Sequence, residues 1–261
     1  MTWREQSPFD TAGFERWEYR IGGVKTVAYT IGEGPPVLYW HGGGTWHGFA
    51  WTRAWADRFK VIVPYHPGFG ESGDDPEISS MDDYVAHYIE LCDAMGLRSF
   101  ALVGTSLGGF MAAAFAVAHP GRVAKLVLVC PAGISSPDFP MANFAATPHD
   151  EFPRLFVHDL AVIEPFWPDR FDERGEHELQ YAAKGFAPSS VSGAKLVRRA
   201  RRITMPTLVI WGDKDRVLPA GLAPLWGEAI PQATVRIVKN AGHLLLDESA
   251  EARDAVKAFL S

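Results

Sequence analysis

Residues 100–109 read Phe100-Ala101-Leu102-Val103-Gly104-Thr105-Ser106-Leu107-Gly108-Gly109, and they decide the fold. Phe100–Val103 is a short, almost wholly apolar run, the pattern of a buried strand. Met111–Ala118 is alanine-rich and apolar all round, which predicts a buried helix. The chain must pass from strand to helix within Gly104-Thr105-Ser106-Leu107-Gly108, a G-x-S-x-G turn so sharp that its flanks need glycine. Ser106 then projects from the tip of the turn, at a helix N-terminus whose N–H groups favour developing negative charge. A bare G-x-S-x-G is a weak signal. It strengthens in a strand–turn–helix context, and further when an acid and a histidine follow in that order.

The same alternation extends outward on both sides. Short apolar strands are expected at Val37–Trp40, Val61–Pro64, Lys125–Val129, Thr207–Trp211 and Thr234–Val238. Helices are expected at Arg53–Phe59, from a Ser80-Met81-Asp82-Asp83 cap to about Met95, at Leu222–Ala229 and at Asp247–Leu260. Trp17–Ile21 and Val24–Ile31, split by Gly22-Gly23, read as a hairpin. Strands that are continuously apolar and alternate with helices predict an α/β fold, with a mostly parallel central sheet covered by helices on both faces. From Ser135 to about Arg202 the rhythm breaks into recurrent prolines and scattered aromatics, too apolar for a disordered linker. That segment reads as a helical lid lining a substrate pocket. The expected division is therefore a core of 1–134 and 203–261 with a lid of 135–202. Arg198-Arg199-Ala200-Arg201-Arg202 reads as a solvated helix end.

Composition narrows the function classes. The 261 residues carry a formal net charge of −6 and no long basic run, which argues against a nucleic-acid partner. No stretch offers the ~18 apolar residues of a membrane span, and the first ten residues lack the apolar core of a signal peptide. The two cysteines, Cys92 and Cys130, read as unpaired buried thiols, so a cytoplasmic location and a small-molecule substrate are expected. Nothing in the sequence specifies an oligomeric state.

The chemistry-bearing residues sit just past the predicted strands. His41-Gly42-Gly43-Gly44 follows Val37–Trp40, and three glycines let the backbone turn and aim N–H groups into a cavity. The N–H of Gly43, with that of Leu107, is the candidate oxyanion hole, each donor worth ~10²–10³ in rate. His41 is read as structural, as is Ser72 in the Gly68–Gly73 turn. Asp213 and Asp215 follow Thr207–Trp211, and His243 follows Thr234–Val238. Loops at the carboxyl ends of parallel strands meet along one sheet edge, so Ser106, an aspartate and His243 can converge. A serine hydroxyl needs a base to attack at neutral pH; an imidazole supplies it, and a carboxylate fixes the tautomer. No metal or organic cofactor is expected: there is no H-E-x-x-H and no G-x-G-x-x-G.

These five motifs in this order resemble the α/β-hydrolase fold superfamily, in its lid-bearing branch, from about Glu18 to Leu260. The resemblance selects Asp215 over Asp213 as the acid and leaves Asp213 in the turn. Because the nucleophile position holds Ser106, it disfavours the dehalogenases and epoxide hydrolases of this fold, which carry aspartate there. It implies a serine hydrolase of a small, apolar ester, thioester or lactone. One alternative is a hydrolase of carbon–carbon bonds in vinylogous diketone acids. Members of that subfamily often place tryptophan after the catalytic histidine, where this chain has Leu244; a lid arginine (Arg154, Arg170 or Arg174) would bind the substrate carboxylate. The other alternative is a slow-turnover ligand receptor of the same fold.

Overall fold

The computed structural model describes residues 9–167 and 173–261. Among them, eight strands form one sheet in the order β1-β2-β4-β3-β5-β6-β7-β8. The strands are β1 (Glu15–Ile21), β2 (Val24–Ile31), β3 (Pro36–Trp40), β4 (Lys60–Pro64), β5 (Phe100–Thr105), β6 (Val123–Val129), β7 (Thr207–Gly212) and β8 (Ala233–Val238). β2 runs antiparallel to both β1 and β4. From β4 across to β8 every pairing is parallel, which puts the carboxyl ends of β3, β5, β6, β7 and β8 along one edge.

Between strands lie α1 (Met81–Ala94), α2 (Leu107–Ala118), α3 (Pro153–Phe156), α4 (Glu173–Gly185), α5 (Ala194–Arg199) and α6 (Ala223–Ala229), and α7 (Leu245–Glu248) and α8 (Ala250–Leu260) follow β8. α1 starts in a capping box, with Asp83 bonding back to the Ser80 N–H at 2.8 Å. α2 is buried at every position but its last, as its uniform apolarity requires. The core is continuous across the sheet, with Trp40, Trp55, Trp211 and Trp226 fully buried in it.

Three expectations need correction. Arg53–Phe59 is not an α-helix: a single 3-10 turn spans Ala50–Trp55, bonded Thr52 N–H to Phe49 O and Ala56 N–H to Arg53 O. Asp247–Leu260 is two helices rather than one. Ser249 is extended (φ −112°, ψ 113°), and its hydroxyl accepts from Ala252 N–H, so it ends α7 and caps α8. β8 is apolar but not buried; as the sheet edge it leaves Thr234–Ile237 exposed. The segment between β6 and β7 is helical in short pieces, and the described part shows one isolated bridge, Ser136–Phe139. The arginines of 198–202 are exposed as expected. Cys92 and Cys130 are both buried and free, and no helix among the described residues is long and apolar enough to cross a membrane.

Candidate active site

Ser106 sits between β5 and α2 with φ 54° and ψ −115°, a conformation that costs a non-glycine residue ~1–3 kcal/mol. The surrounding backbone holds it there: Ser106 N–H donates to Val129 O at 2.9 Å, and its carbonyl accepts from Phe110 and Ala132 N–H, both at 3.0 Å. The turn is closed so tightly that a Cβ at Gly104 would stand 2.3 Å from Gly108 O, and one at Gly108 would stand 2.2 Å from Trp40 O. Glycine is needed at both positions because backbone lies where the side chain would go.

Asp215 and His243 come together although 28 residues separate them. His243 Nδ1 lies 2.8 Å from Asp215 Oδ2, and both side chains are nearly sealed from solvent. A carboxylate only accepts, so Nδ1 carries the proton and Nε2 presents its lone pair. The carboxylate is held by two backbone N–H groups, Val217 (2.9 Å) and Leu218 (2.8 Å) on Oδ1, and by the Trp211 indole N–H (3.0 Å) on Oδ2. Asp213 is elsewhere: it accepts from Asn240 N–H at 2.7 Å and faces Lys214 and Lys239 at the surface. No hydrogen bond joins the Ser106 hydroxyl to His243 among the described residues. Such contacts commonly tighten only when substrate binds.

Behind the glycine loop, His41 and His66 form a buried pair with ring centroids 3.6 Å apart. His41 Nδ1 donates to Gly42 O (2.7 Å) and its Nε2 accepts from His66 N–H (3.1 Å). His66 Nε2 donates to His41 O (2.9 Å), and its Nδ1 bonds the Tyr88 hydroxyl. His41 therefore spends one nitrogen as donor and one as acceptor, which requires its neutral form, while His66 donates through Nε2 and shares Nδ1 with the Tyr88 hydroxyl. Burial pushes the His66 imidazole down to about 3 and the His41 imidazole well below its ordinary range. Both roles are structural. Ser72 is structural too, its hydroxyl bridging Val27 N–H and Tyr65 O at 3.0 Å each.

A cavity of about 270 Å³ opens on Ser106 and His243. Gly42, Gly43, Gly44 and Leu107 form one wall; Phe144, Phe152, Phe156, Trp167 and Ala182 come from the segment between β6 and β7. Neither the Gly43 nor the Leu107 N–H donates to a described residue. Among the described residues no lysine or arginine lines the cavity: Arg154 is exposed on α3, Arg174 is buried on α4 without reaching the lining, and Arg170 lies outside the described residues. A wider groove of about 840 Å³ between α5 and α6 contains none of these residues.

Sequence reasoning missed Glu178. This α4 carboxylate is 1% exposed and lines the cavity. It accepts from Thr45 N–H (2.8 Å), the Thr45 hydroxyl (2.5 Å) and Gly70 N–H (3.1 Å), tying α4 to the glycine loop. Burial pushes its carboxyl up, against those bonds and the charge of Arg174. With Glu173, Glu176 and Lys184 on the same helix, Glu178 reads as one more solvated charge, and the sequence offers no local signal for its burial. The Sγ of Cys130 lies within 4.8 Å of Asp215 and His243 ligand atoms. Among the described residues that trio is the one His/Cys/acid cluster close enough to hold a metal ion. It is poorly suited, because burial pushes the thiol up and keeps it protonated, and the Asp215 oxygens are already engaged.

A family model described as the alpha/beta hydrolase family matches residues 37–256. The chain belongs to this family. It is 30% identical to a 2-hydroxymuconate semialdehyde hydrolase of Pseudomonas putida, over 90% of this chain and 89% of that protein. It is 28% identical to Lipase 1 of Psychrobacter immobilis, over 87% of this chain and 77% of that protein. The fold matches a naproxen esterase of Bacillus subtilis with a TM-score of 0.78 at 17% identity, covering 95% of this chain and 92% of that one. This alpha/beta hydrolase thus has relatives named both as a semialdehyde hydrolase and as a lipase.

Proposed function

We propose that this hydrolase cleaves small, uncharged carboxylic esters, thioesters or lactones through an acyl-enzyme on Ser106. The observation that carries the choice is the cavity's charge. Its described wall holds the Glu178 carboxylate and no cation, an environment that repels a substrate carboxylate.

Ser106 Oγ attacks the carbonyl carbon while its proton passes to His243 Nε2. Asp215 holds Nδ1–H and stabilises the imidazolium. The oxyanion is received by the N–H groups of Gly43 and Leu107. His243 returns the proton to the departing alkoxide or thiolate, the carbon–oxygen or carbon–sulfur bond breaks, and water enters by the same steps to release the acid. The segment 135–202 acts as a lid, since its aromatics close the cavity above the serine.

The similarity to the 2-hydroxymuconate semialdehyde hydrolase favours a second reading, cleavage of a carbon–carbon bond in a vinylogous diketone acid. Initial rates on p-nitrophenyl esters of increasing acyl length, beside one such acid, separate the two. Fast turnover of short acyl chains, abolished in Ser106→Ala, supports the ester reading. Turnover of the acid with none of the esters overturns it.

A further inference from the structure

A second histidine–carboxylate pair opens on the same cavity. His47 lies four residues beyond Gly43, and its Nδ1 is 2.9 Å from Asp247 Oδ1. Asp247 lies four residues beyond His243, in α7. His47 and His243 both line the cavity. Since the carboxylate only accepts, Nδ1 carries a proton, and in the neutral tautomer the lone pair is on Nε2. That nitrogen bonds no described residue. It is also not sealed, in contrast to the indole nitrogens of Trp40, Trp51 and Trp226. Edge-on packing fixes the ring plane, with centroids 5.1 Å from Trp46 and 6.4 Å from Phe49.

Tyr39 donates its hydroxyl to Thr105 at 3.1 Å, and Glu178 is occupied by three donors. In its neutral form His47 adds an acceptor, Nε2, to a residue set that is otherwise largely apolar. An acceptor lone pair repels a carbonyl oxygen or a carboxylate and is satisfied by a hydroxyl. A substrate lacking a donor would bury that nitrogen unpaired, which is how a polar site rejects an analogue.

We infer that His47 is a specificity-determining residue, whose Nε2 accepts a hydrogen bond from a hydroxyl on the uncharged ester or lactone attacked by Ser106. The inference rests on the serine-hydrolase reading. Its test uses two matched pairs of esters followed by pH-stat: methyl 3-hydroxybutyrate against methyl butyrate, and 2-hydroxyethyl butyrate against propyl butyrate. One hydrogen bond predicts that the hydroxylated member of a pair is favoured about tenfold in kcat/KM. In His47→Phe that ratio falls to about one, and His47→Gln, which retains an acceptor, restores part of it. A pair that merely braces the glycine loop against the His243 segment would lower both members alike and leave the ratio intact, which would overturn the inference. Equal rates within both pairs for the wild type would overturn it too. Fluorophosphonate labelling of Ser106 is measured on the same samples. Labelling without a hydroxyl preference defeats this inference alone; absence of labelling defeats the reading beneath it.

Discussion

Lowering the pH should unfold this protein through its buried histidines before its carboxylates titrate. Burial holds His66 near about 3, and it holds His87, bonded to Thr26 Oγ1 at 3.2 Å, near about 4. In the unfolded chain both titrate near ~6.5. The native state refuses protons that the unfolded state takes up, so these groups stabilise the fold above ~6.5, and that stability drains as pH falls toward the native values. At ~1.36 kcal/mol per pKa unit, each histidine costs about 2 kcal/mol between pH 7 and pH 5, and the pair about 4. Total stability for a domain is only ~5–15 kcal/mol. His41 acts in the same direction, whereas Glu178, whose carboxyl is raised, acts in the opposite one. Urea unfolding at pH 7, 6 and 5 measures the slope directly. His87→Gln should reduce it by about 1 kcal/mol per pH unit at its steepest. A wild-type stability that changes by less than ~1 kcal/mol over this range would refute the assignment of neutral buried imidazoles.

Further outcomes follow from the turn, the lid contact and the thiols. Gly108→Ala places a methyl 2.2 Å from Trp40 O and 2.3 Å from His41 O, so the backbone must shift; a loss of at least ~1–3 kcal/mol in urea unfolding is expected, with ester turnover falling in parallel. Glu178→Gln sets an amide N–H against donors on Thr45 or Gly70, so a Tm lower by roughly 3–10 °C is expected from ~1–3 kcal/mol of unmet bonding. Thiol titration of the native protein should find neither cysteine reactive, because burial raises Cys130 and pushes Cys92 up to about 12; rapid modification of either would contradict their placement.

Much of the sheet was legible because parallel strands buried on both faces are continuously apolar where they are covered, as in Val37–Trp40, Phe100–Val103, Leu126–Val129 and Leu208–Trp211. The residues near the strand ends were legible for a related reason. Gly104 and Gly108 are forced by backbone contact, and Ser106, Asp215 and His243 stand just past apolar runs. Periodicity could not see Ser249, a single extended residue that breaks one amphipathic helix into two. Nor could it place Glu178 or the His47–Asp247 pair, whose partners lie 133 and 200 residues away. The first contact depends on how the segment between β6 and β7 folds back over the glycine loop and the second on how α7 meets that loop, and no local pattern encodes either distance.

The central claim is that Ser106, activated by His243, is the nucleophile. Intact mass after brief exposure to a fluorophosphonate tests it most directly. The account predicts one adduct per chain, mapped to Ser106, absent in Ser106→Ala and slowed by at least ~10³ in His243→Gln. An adduct on another residue, or equal labelling of Ser106 in the histidine variant, would contradict it.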